Sequence, residues 1–280
     1  MKNIITYLIR GDANSLASFA RSIELLRRNF LPWNSADVLV FHENNVSFDR
    51  IAKCCNGLPV RSAIVDFSRC PAGVMEKPKV MNLGNMGYRH MCNFFANEVF
   101  LRQELDGYDY QMRLDDDSFI LSPIGFNVFE IMAKCCYKYC YRAVELDLRE
   151  TCQGLWPFAK EYFKNYNGRK ISQPPPYYIY YTNFEINDLS WFRSPQWQDF
   201  AKAVDATKGI WNFRWGDAPI RYLGVNGLLE KDGILCLKEL HYFHQGEWLS
   251  GKVRRKGWFL HLLGYCRFAL GVKIRSLFEG

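Results

Sequence analysis

The sequence predicts an α/β fold, and three observations carry that prediction. Ile4–Ile9 is a short apolar run, and behind it Leu16, Phe19, Ile23, Leu26 and Phe30 recur at helical spacing, as in a buried strand feeding a helix. The pattern then repeats, with strand signals at Asp37–His42 and Val60–Asp66 around a short helix at Phe48–Cys55. Finally, Tyr108, Tyr110, Met112 and Leu114 alternate with Asp109, Gln111 and Arg113, the period of a half-buried strand. Together these give a Rossmann-like β-α-β-α-β half, the familiar nucleotide-binding arrangement, although fold alone does not give function.

Taken in order, the loop Arg10–Ser15 opens the first helix and Pro32 ends it. Ligands of open α/β sheets sit near the carboxyl ends of the strands, so Arg10 is a candidate phosphate or base contact, with an ordinary surface arginine as the plain alternative. Residues 68–82 carry Pro71, Gly73 and Pro78 and read as an irregular connection. Gly87–Leu105 reads as a helix with Met91, Phe94, Phe95 and Val99 on its apolar stripe and Tyr88, Arg89 and His90 on its first turns.

The strand at Tyr108–Leu114 runs directly into Asp115, Asp116 and Asp117. On an extended segment residues two apart point the same way, so Asp115 and Asp117 converge while Asp116 faces elsewhere. Converging carboxylates repel each other and call for a cation, and hard oxygen ligands suit Mg²⁺ or Mn²⁺. The alternative is an acidic surface loop.

Beyond it the sequence predicts a helix at Ile124–Cys136, a strand at Tyr139–Val144 and a helix at about Gln153–Tyr166. Asn167-Gly168 and Pro174–Pro176 mark a flexible loop, the expected gate or acceptor edge. Tyr178–Glu185 is extended and ends in Glu185, between Phe184 and Ile186, either an exposed alternate position, which spacing alone favours, or a placed acid, base or nucleophile. Asp188 caps a helix and Pro195–Val204 forms another. Phe213–Pro219 is a tight turn into a helix with Asp217 at or near its N-cap. Ile234–Leu237 is a strand, and His244 beyond it is either a third metal ligand or a structural histidine.

Composition bounds the rest. The chain has 280 residues, 49% hydrophobic and 16% aromatic, enough for a substantial core. Of its net charge of +7, most lies in residues 251–280, where seven basic residues face Glu279 alone. The near-neutral body argues against a nucleic-acid partner. Ten cysteines occur without paired CxxC spacing, pointing to free thiols in a reducing compartment. No signal peptide and no 18-residue apolar run is legible, so the expected location is cytoplasmic. The tail mixes Trp258, Phe259, Leu260 and Leu262 with basic residues, as in an amphipathic helix on an anionic membrane surface or one packed on the domain.

Several stretches resemble the fungal α-1,2-mannosyltransferases of glycosyltransferase family 15. They are GYRHMC (87–92), the Tyr-Asp-Tyr…Arg-Leu-Asp-Asp-Asp strand (108–117), GLW (154–156), NFEI-x-DL (183–189), RSPQWQDF (193–200), RWGDAP (214–219) and HYFH (241–244). The resemblance implies a GT-A fold, a nucleotide-sugar donor, a glycan acceptor and a Mn²⁺ ion. It places the family's metal motif on Asp115, Asp116 and Asp117, its metal-binding histidine on His244, its catalytic glutamate on Glu185, and Asp217 in the acceptor-side wall. The motif reads Asp-Asp-Asp here, closer to the Asp-x-Asp of UDP-sugar enzymes, which leaves both UDP-sugars and GDP-mannose open as donors.

The expectation is therefore one GT-A catalytic domain over 1–250, with donor binding in 1–117 and acceptor and catalytic residues in 118–250, followed by the basic tail. Asp117, Asp115 and His244 are the expected ligands of Mn²⁺ or Mg²⁺. Arg10, Tyr88, Arg89, Asp115 and Asp116 are the expected donor contacts. Glu185 serves the reacting carbon if configuration is retained, and Asp217 takes the acceptor's proton if it is inverted. The rivals are a metal-dependent phosphohydrolase or nuclease and a non-catalytic sugar-binding module.

Overall fold

The computed structural model describes residues 1–74, 86–171 and 177–251 and the backbone of 253–256. Most of the predicted tail, the Pro174–Pro176 loop and part of the 68–82 connection lie outside the described residues, whereas Val253–Lys256 at the start of the tail form a strand.

Strands β1 (Asn3–Ile9), β2 (Asp37–His42) and β3 (Arg61–Ile64) alternate with helices α1 (Ala13–Asn29) and α2 (Phe48–Cys54), as the periodicity predicts. Asp12 caps α1 by accepting from the backbone N–H groups of Asn14 and Ser15. Helix α3 (Met86–Asn93) follows, and the predicted single helix to Leu105 is instead broken. A widened π turn at Phe94–Glu98 and two short 3₁₀ turns carry the chain to β4 (Tyr110–Leu114). Strand β5 (Ser118–Ile120), helix α4 (Val128–Lys134), strands β6 (Tyr139–Tyr141) and β7 (Val144–Leu146) and helix α5 (Leu155–Asn167) come next. Helix α4 is shorter than predicted because Asn127 caps it by accepting from Glu130 N–H. Tyr178–Glu185 is two strands rather than one, β8 (Tyr178–Tyr180) and β9 (Phe184–Asp188). Helices α6 (Leu189–Phe192), capped by Asp188, α7 (Pro195–Ala206), α8 (Gly209–Phe213) and α9 (Asp217–Leu228) form the next layer. Strands β10 (Ile234–Cys236), β11 (Tyr242–His244), β12 (Glu247–Ser250) and β13 (Val253–Lys256) end the described chain.

Seven strands make one mixed sheet in the order β10-β6-β9-β4-β1-β2-β3. Strand β1 runs parallel to both β2 and β4, and β9 runs antiparallel between β4 and β6. The chain winds outward from β1 in both directions, so the crevice at the carboxyl ends of β1 and β4 is the topological switch point. Helices α1, α2 and α4 cover one face through Phe19, Ile23, Ile51 and Phe129, and α3 and α5–α9 cover the other.

Strand β4 corrects the half-buried reading, because all five of its residues are buried. Tyr110, Met112 and Leu114 enter one core. Gln111 and Arg113 face the opposite layer, where they are satisfied rather than solvated. Gln111 donates to Thr6 Oγ1 at 2.5 Å and accepts from Asn187 Nδ2 at 2.7 Å. One face of the sheet centre is thus a buried polar row, affordable only because each member is hydrogen-bonded.

A smaller sheet, β13-β12-β11-β5, branches off directly after the aspartates. Its β5–β11 pairing sets Ser118 opposite His244. A two-residue turn at Gln245 and Gly246, both at positive φ, joins β11 to β12, and glycine takes that conformation at no steric cost.

Candidate active site

The site forms where β1 and β4 end together. After Leu114 the chain turns, with Ser118 N–H donating to Asp115 O at 3.0 Å. Asp115 and Asp117 do converge as the spacing predicts, but through this turn rather than along an extended strand. Register then brings His244 alongside. Ligand atoms of Asp115, Asp117 and His244 all lie within 4.8 Å of one another, the one such three-residue group among the described residues. Two carboxylates and an imidazole fit a divalent ion of the Mg²⁺ or Mn²⁺ kind, whose remaining positions stay open to phosphate oxygens.

His244 is held from several sides. Its Nδ1 lies 3.0 Å from Asp117 Oδ1 and 3.2 Å from Ser118 Oγ. The Tyr242 hydroxyl stands 2.6 Å from both Ser118 Oγ and Asn183 Oδ1, completing a buried brace. Gln245 Nε2 donates to Asp117 Oδ2 at 3.0 Å. Burial alone would lower the His244 pKa, but the Asp117 carboxylate outweighs it and raises the imidazole above its ordinary value. Burial pushes Asp117 up as well, yet its bond to His244 leaves the carboxyl below the usual range. Asp115 is raised, mainly by burial, with Arg113 opposing.

Asp116 points to the other side of the turn, as predicted, and accepts from Ser15 Oγ at the start of α1. Burial and the neighbouring aspartates push it up to about 6 against that hydrogen bond. Arg10 lies beside it at the end of β1. Its side chain is 78% exposed and near Asp12, leaving it available to a ligand in the crevice.

Asp217 lies at the first turn of α9, where sequence reasoning offers an N-cap. Gly216 takes the cap position, and the Asp217 side chain does something else. Its Oδ2 accepts from Arg113 Nη1 at 2.5 Å and from Thr182 Oγ1 at 3.0 Å. Burial would raise its pKa, but Arg113 holds it below the usual carboxylate range. The same guanidinium donates through Nε to Asp115 Oδ1 at 3.0 Å, so Arg113 joins Asp217 to the three-ligand cluster. The turn before Asp217 is shaped by Trp215, whose ring occupies the space that a Cβ on Gly209 would enter at 2.3 Å.

Glu185 is not the exposed position that alternation favours. It is 1% exposed and directly opposite Arg113 in the β4–β9 register. Arg221 of α9 takes both of its oxygens, Nε at 3.0 Å and Nη2 at 3.3 Å. Arg221 also donates to Phe95 O in the π turn at 2.9 Å, and its guanidinium lies 4.7–4.8 Å from the ring centroids of Phe100, Phe192 and Trp197.

The two α3 candidates diverge. The Tyr88 ring sits under the Arg214 guanidinium at 4.2 Å, close to Asp217. Arg89 is 1% exposed, and its Nη1 is committed to the carbonyls of Ile210 and Trp211, so it ties α3 to α8. Sequence reasoning missed Arg113, Arg221, Thr182 and Gln245. For the arginines a signal existed: Arg113 is two residues before Asp115 on a strand, and Arg221 is four after Asp217 on a helix. A separate open groove of about 450 Å³ on α5, lined by Phe158, Glu161, Tyr162, Asn165 and Tyr166, contains none of these residues.

A family profile described as glycolipid 2-alpha-mannosyltransferase matches residues 72–253. The chain belongs to that family. It is 30% identical over 196 residues to the probable mannosyltransferase YUR1 of Saccharomyces cerevisiae, covering 61% of this chain and 46% of that protein. It is 27% identical over 196 residues to the probable mannosyltransferase KTR2 of the same yeast, with the same coverages of 61% and 46%. The chain thus spans about half the length of these curated relatives. The structure of mannosyltransferase Ktr4p from S. cerevisiae in complex with GDP superposes with a TM-score of 0.78 at 19% identity, covering 89% of this chain and 72% of that one. Core-mannan synthase A from Aspergillus fumigatus, in a Mn/GDP form, gives 0.77 at 17% identity, with coverages of 89% and 76%. The fold is accordingly GT-A-type.

Proposed function

We propose that the chain is a metal-dependent glycosyltransferase that moves mannose from GDP-mannose to a hydroxyl of a glycan acceptor. The convergence of Asp115, Asp117 and His244 at the switch-point crevice carries this reading. Family membership and the GDP and Mn/GDP complexes of similarly folded mannosyltransferases support the donor and the ion. A Mn²⁺ or Mg²⁺ bound there supplies Lewis-acid neutralisation of the leaving diphosphate.

The chain's own groups divide the remaining work. Asp117 and His244, braced by Gln245, Ser118 and Tyr242, hold the ligand geometry before the ion arrives. Arg10, exposed at the end of β1, is assigned to the donor's phosphates or base. Asp116 is assigned to the donor side, Tyr88 lies instead under Arg214 beside Asp217, and Arg89 serves the fold. Asp217, kept ionised by Arg113, is assigned to the acceptor side and takes the acceptor's hydroxyl proton if configuration is inverted. Glu185, the residue assigned to the reacting carbon if configuration is retained, is 1% exposed with both oxygens on Arg221, so it is proposed as a buried charge that ties α9 to β9 rather than as the attacking group. A two-metal hydrolase needs a second ligand set roughly 4 Å away, and the described residues offer one three-ligand group.

The test is a donor screen with Mn²⁺ and a panel of GDP- and UDP-sugars, reading nucleotide release with and without mannoside acceptors. GDP release from GDP-mannose, stimulated by acceptor and silenced by Asp117→Ala or a chelator, is the expected result. Turnover of a UDP-sugar instead would overturn the donor assignment, and no release from any donor would overturn the enzyme reading.

A further inference from the structure

Arg113 occupies a place that neither the metal cluster nor the acceptor wall accounts for by itself. It is 2% exposed and lies on the polar face of β4, between the end of its own strand and the first turn of α9. Nε donates to Asp115 Oδ1 at 3.0 Å, and Nη1 donates to Asp217 Oδ2 at 2.5 Å. The guanidinium carbon sits 3.4 Å from the centroid of the Phe95 ring, which the π turn presents to it. A planar fork seated on a ring and bonded at two edges has little freedom to follow one carboxylate without moving the other. The neighbouring Glu185 turns both oxygens to Arg221 and acts on Arg113 through its charge, after Asp115 and Asp217.

We propose that Arg113 is a positioning residue that couples Asp217 to the metal ligand Asp115, so that the charge on Asp217 is felt at the metal. This rests on the metal-site reading above. With Asp217 ionised, the positive charge of Arg113 is shared chiefly between Asp115 and Asp217, with a smaller part answering Glu185. With Asp217 neutral, that charge falls on Asp115 and opposes a dication, and burial leaves little water to screen the effect. The acceptor-side carboxylate and the metal are then one electrostatic unit, and a change at either is transmitted through a single side chain.

The experiment is a Mn²⁺ titration, followed by the electron paramagnetic resonance of free Mn²⁺. It compares the wild type, Asp217→Asn, Arg113→Gln and the Arg113→Gln/Asp217→Asn double variant, each checked for folding by circular dichroism. Asp217→Asn is expected to weaken Mn²⁺ binding by about five- to tenfold. The double variant removes one positive and one negative charge and is expected to stay within about twofold of wild type. Arg113→Lys keeps the charge without the fork. It is expected to bind Mn²⁺ normally and hold its KM while kcat falls about 30-fold or more. It also keeps the test alive should the glutamine variants fail to fold. An unchanged Mn²⁺ affinity in Asp217→Asn, a double variant as weak as that single one, or full kcat in Arg113→Lys would each overturn the coupling. A wild type that binds no Mn²⁺ would instead overturn the metal-site reading, a separate and recognisable result.

Discussion

Two buried arginine–carboxylate units stand side by side under α9, and they differ in where the burial ends. Arg221 and Glu185 are each 1% exposed, enclosed by three aromatic rings and the π-turn carbonyl. Arg113 and Asp217 are 2% and 5% exposed, but their network continues to Asp115 at 26%, and the adjacent Asp117 reaches 33%. The first unit is sealed, and the second opens by degrees onto the crevice. A sealed pair gains little over an apolar replacement but is costly to break, so its energetic signature is in folding. On the proposed function, a graded one carries a fixed field from the interior to the place where charge develops, so its signature is expected in chemistry. The same two residue types thus do different work according to what lies at the open end.

The largest expected effect separates the two units most sharply. Asp117→Ala, at the open end, should cut nucleotide-sugar turnover by about 10³-fold or more while costing less stability than breaking the sealed pair. A comparable loss of stability and activity together would blur the distinction.

Arg221→Met attacks the sealed unit and leaves Glu185 buried without a partner. Urea unfolding should show a loss of about 3–5 kcal/mol, largely recovered in an Arg221→Met/Glu185→Leu double variant. Equal losses in single and double variants would show that the ion pair is not what the site needs.

The open unit should also respond to pH. His244 must shed its proton to ligate an ion, and Asp117 raises its pKa. Divalent affinity should therefore fall as pH drops, approaching about tenfold per unit below the histidine pKa. Without metal the sign reverses: the raised His244 contributes stability below its ordinary value that is lost as pH rises through the shifted one. The lowered Asp117 contributes stability above its ordinary value that is lost as pH falls. Mn²⁺ titrations and chelator-treated melts between pH 5 and 8 check both signs, and a pH-independent affinity would remove His244 from the ligand set.

The smallest effect concerns Asp116, raised from 3.8 to about 6 chiefly by burial. The stability it contributes is present below the unfolded value and lost as pH rises to about 6. Asp116→Asn should raise the metal-free melting temperature at pH 7.5 by a few degrees, roughly 1–2 kcal/mol after allowing for partial exposure, and leave it unchanged at acid pH.

Much of the fold was legible because α1, β1 and β2 announce themselves by period and by punctuation at Asp12 and Pro32. The converging aspartates were legible from spacing too, although a turn and not a strand brings them together. What failed was the assumption that a polar residue at alternate strand positions faces water. Gln111, Arg113 and Glu185 all break it, and each is paired across the β4–β9 register or with α9. No local pattern holds that information, because the partners lie 36 to 104 residues away. The π turn at Phe94–Glu98 was likewise hidden inside an apolar stripe of ordinary helical spacing. Asp217 was found, but Gly216 holds the cap position and the Asp217 carboxylate turns to Arg113 and Thr182.

The most direct test of the metal centre is a crystal of the protein grown with Mn²⁺ and GDP, with an anomalous-difference map at the manganese edge. The account predicts one strong peak at roughly 2.1 Å from oxygens of Asp115 and Asp117 and a nitrogen of His244, with diphosphate oxygens completing the shell. A peak bound by other residues, or GDP seated in the crevice with no peak beside these three, would contradict it.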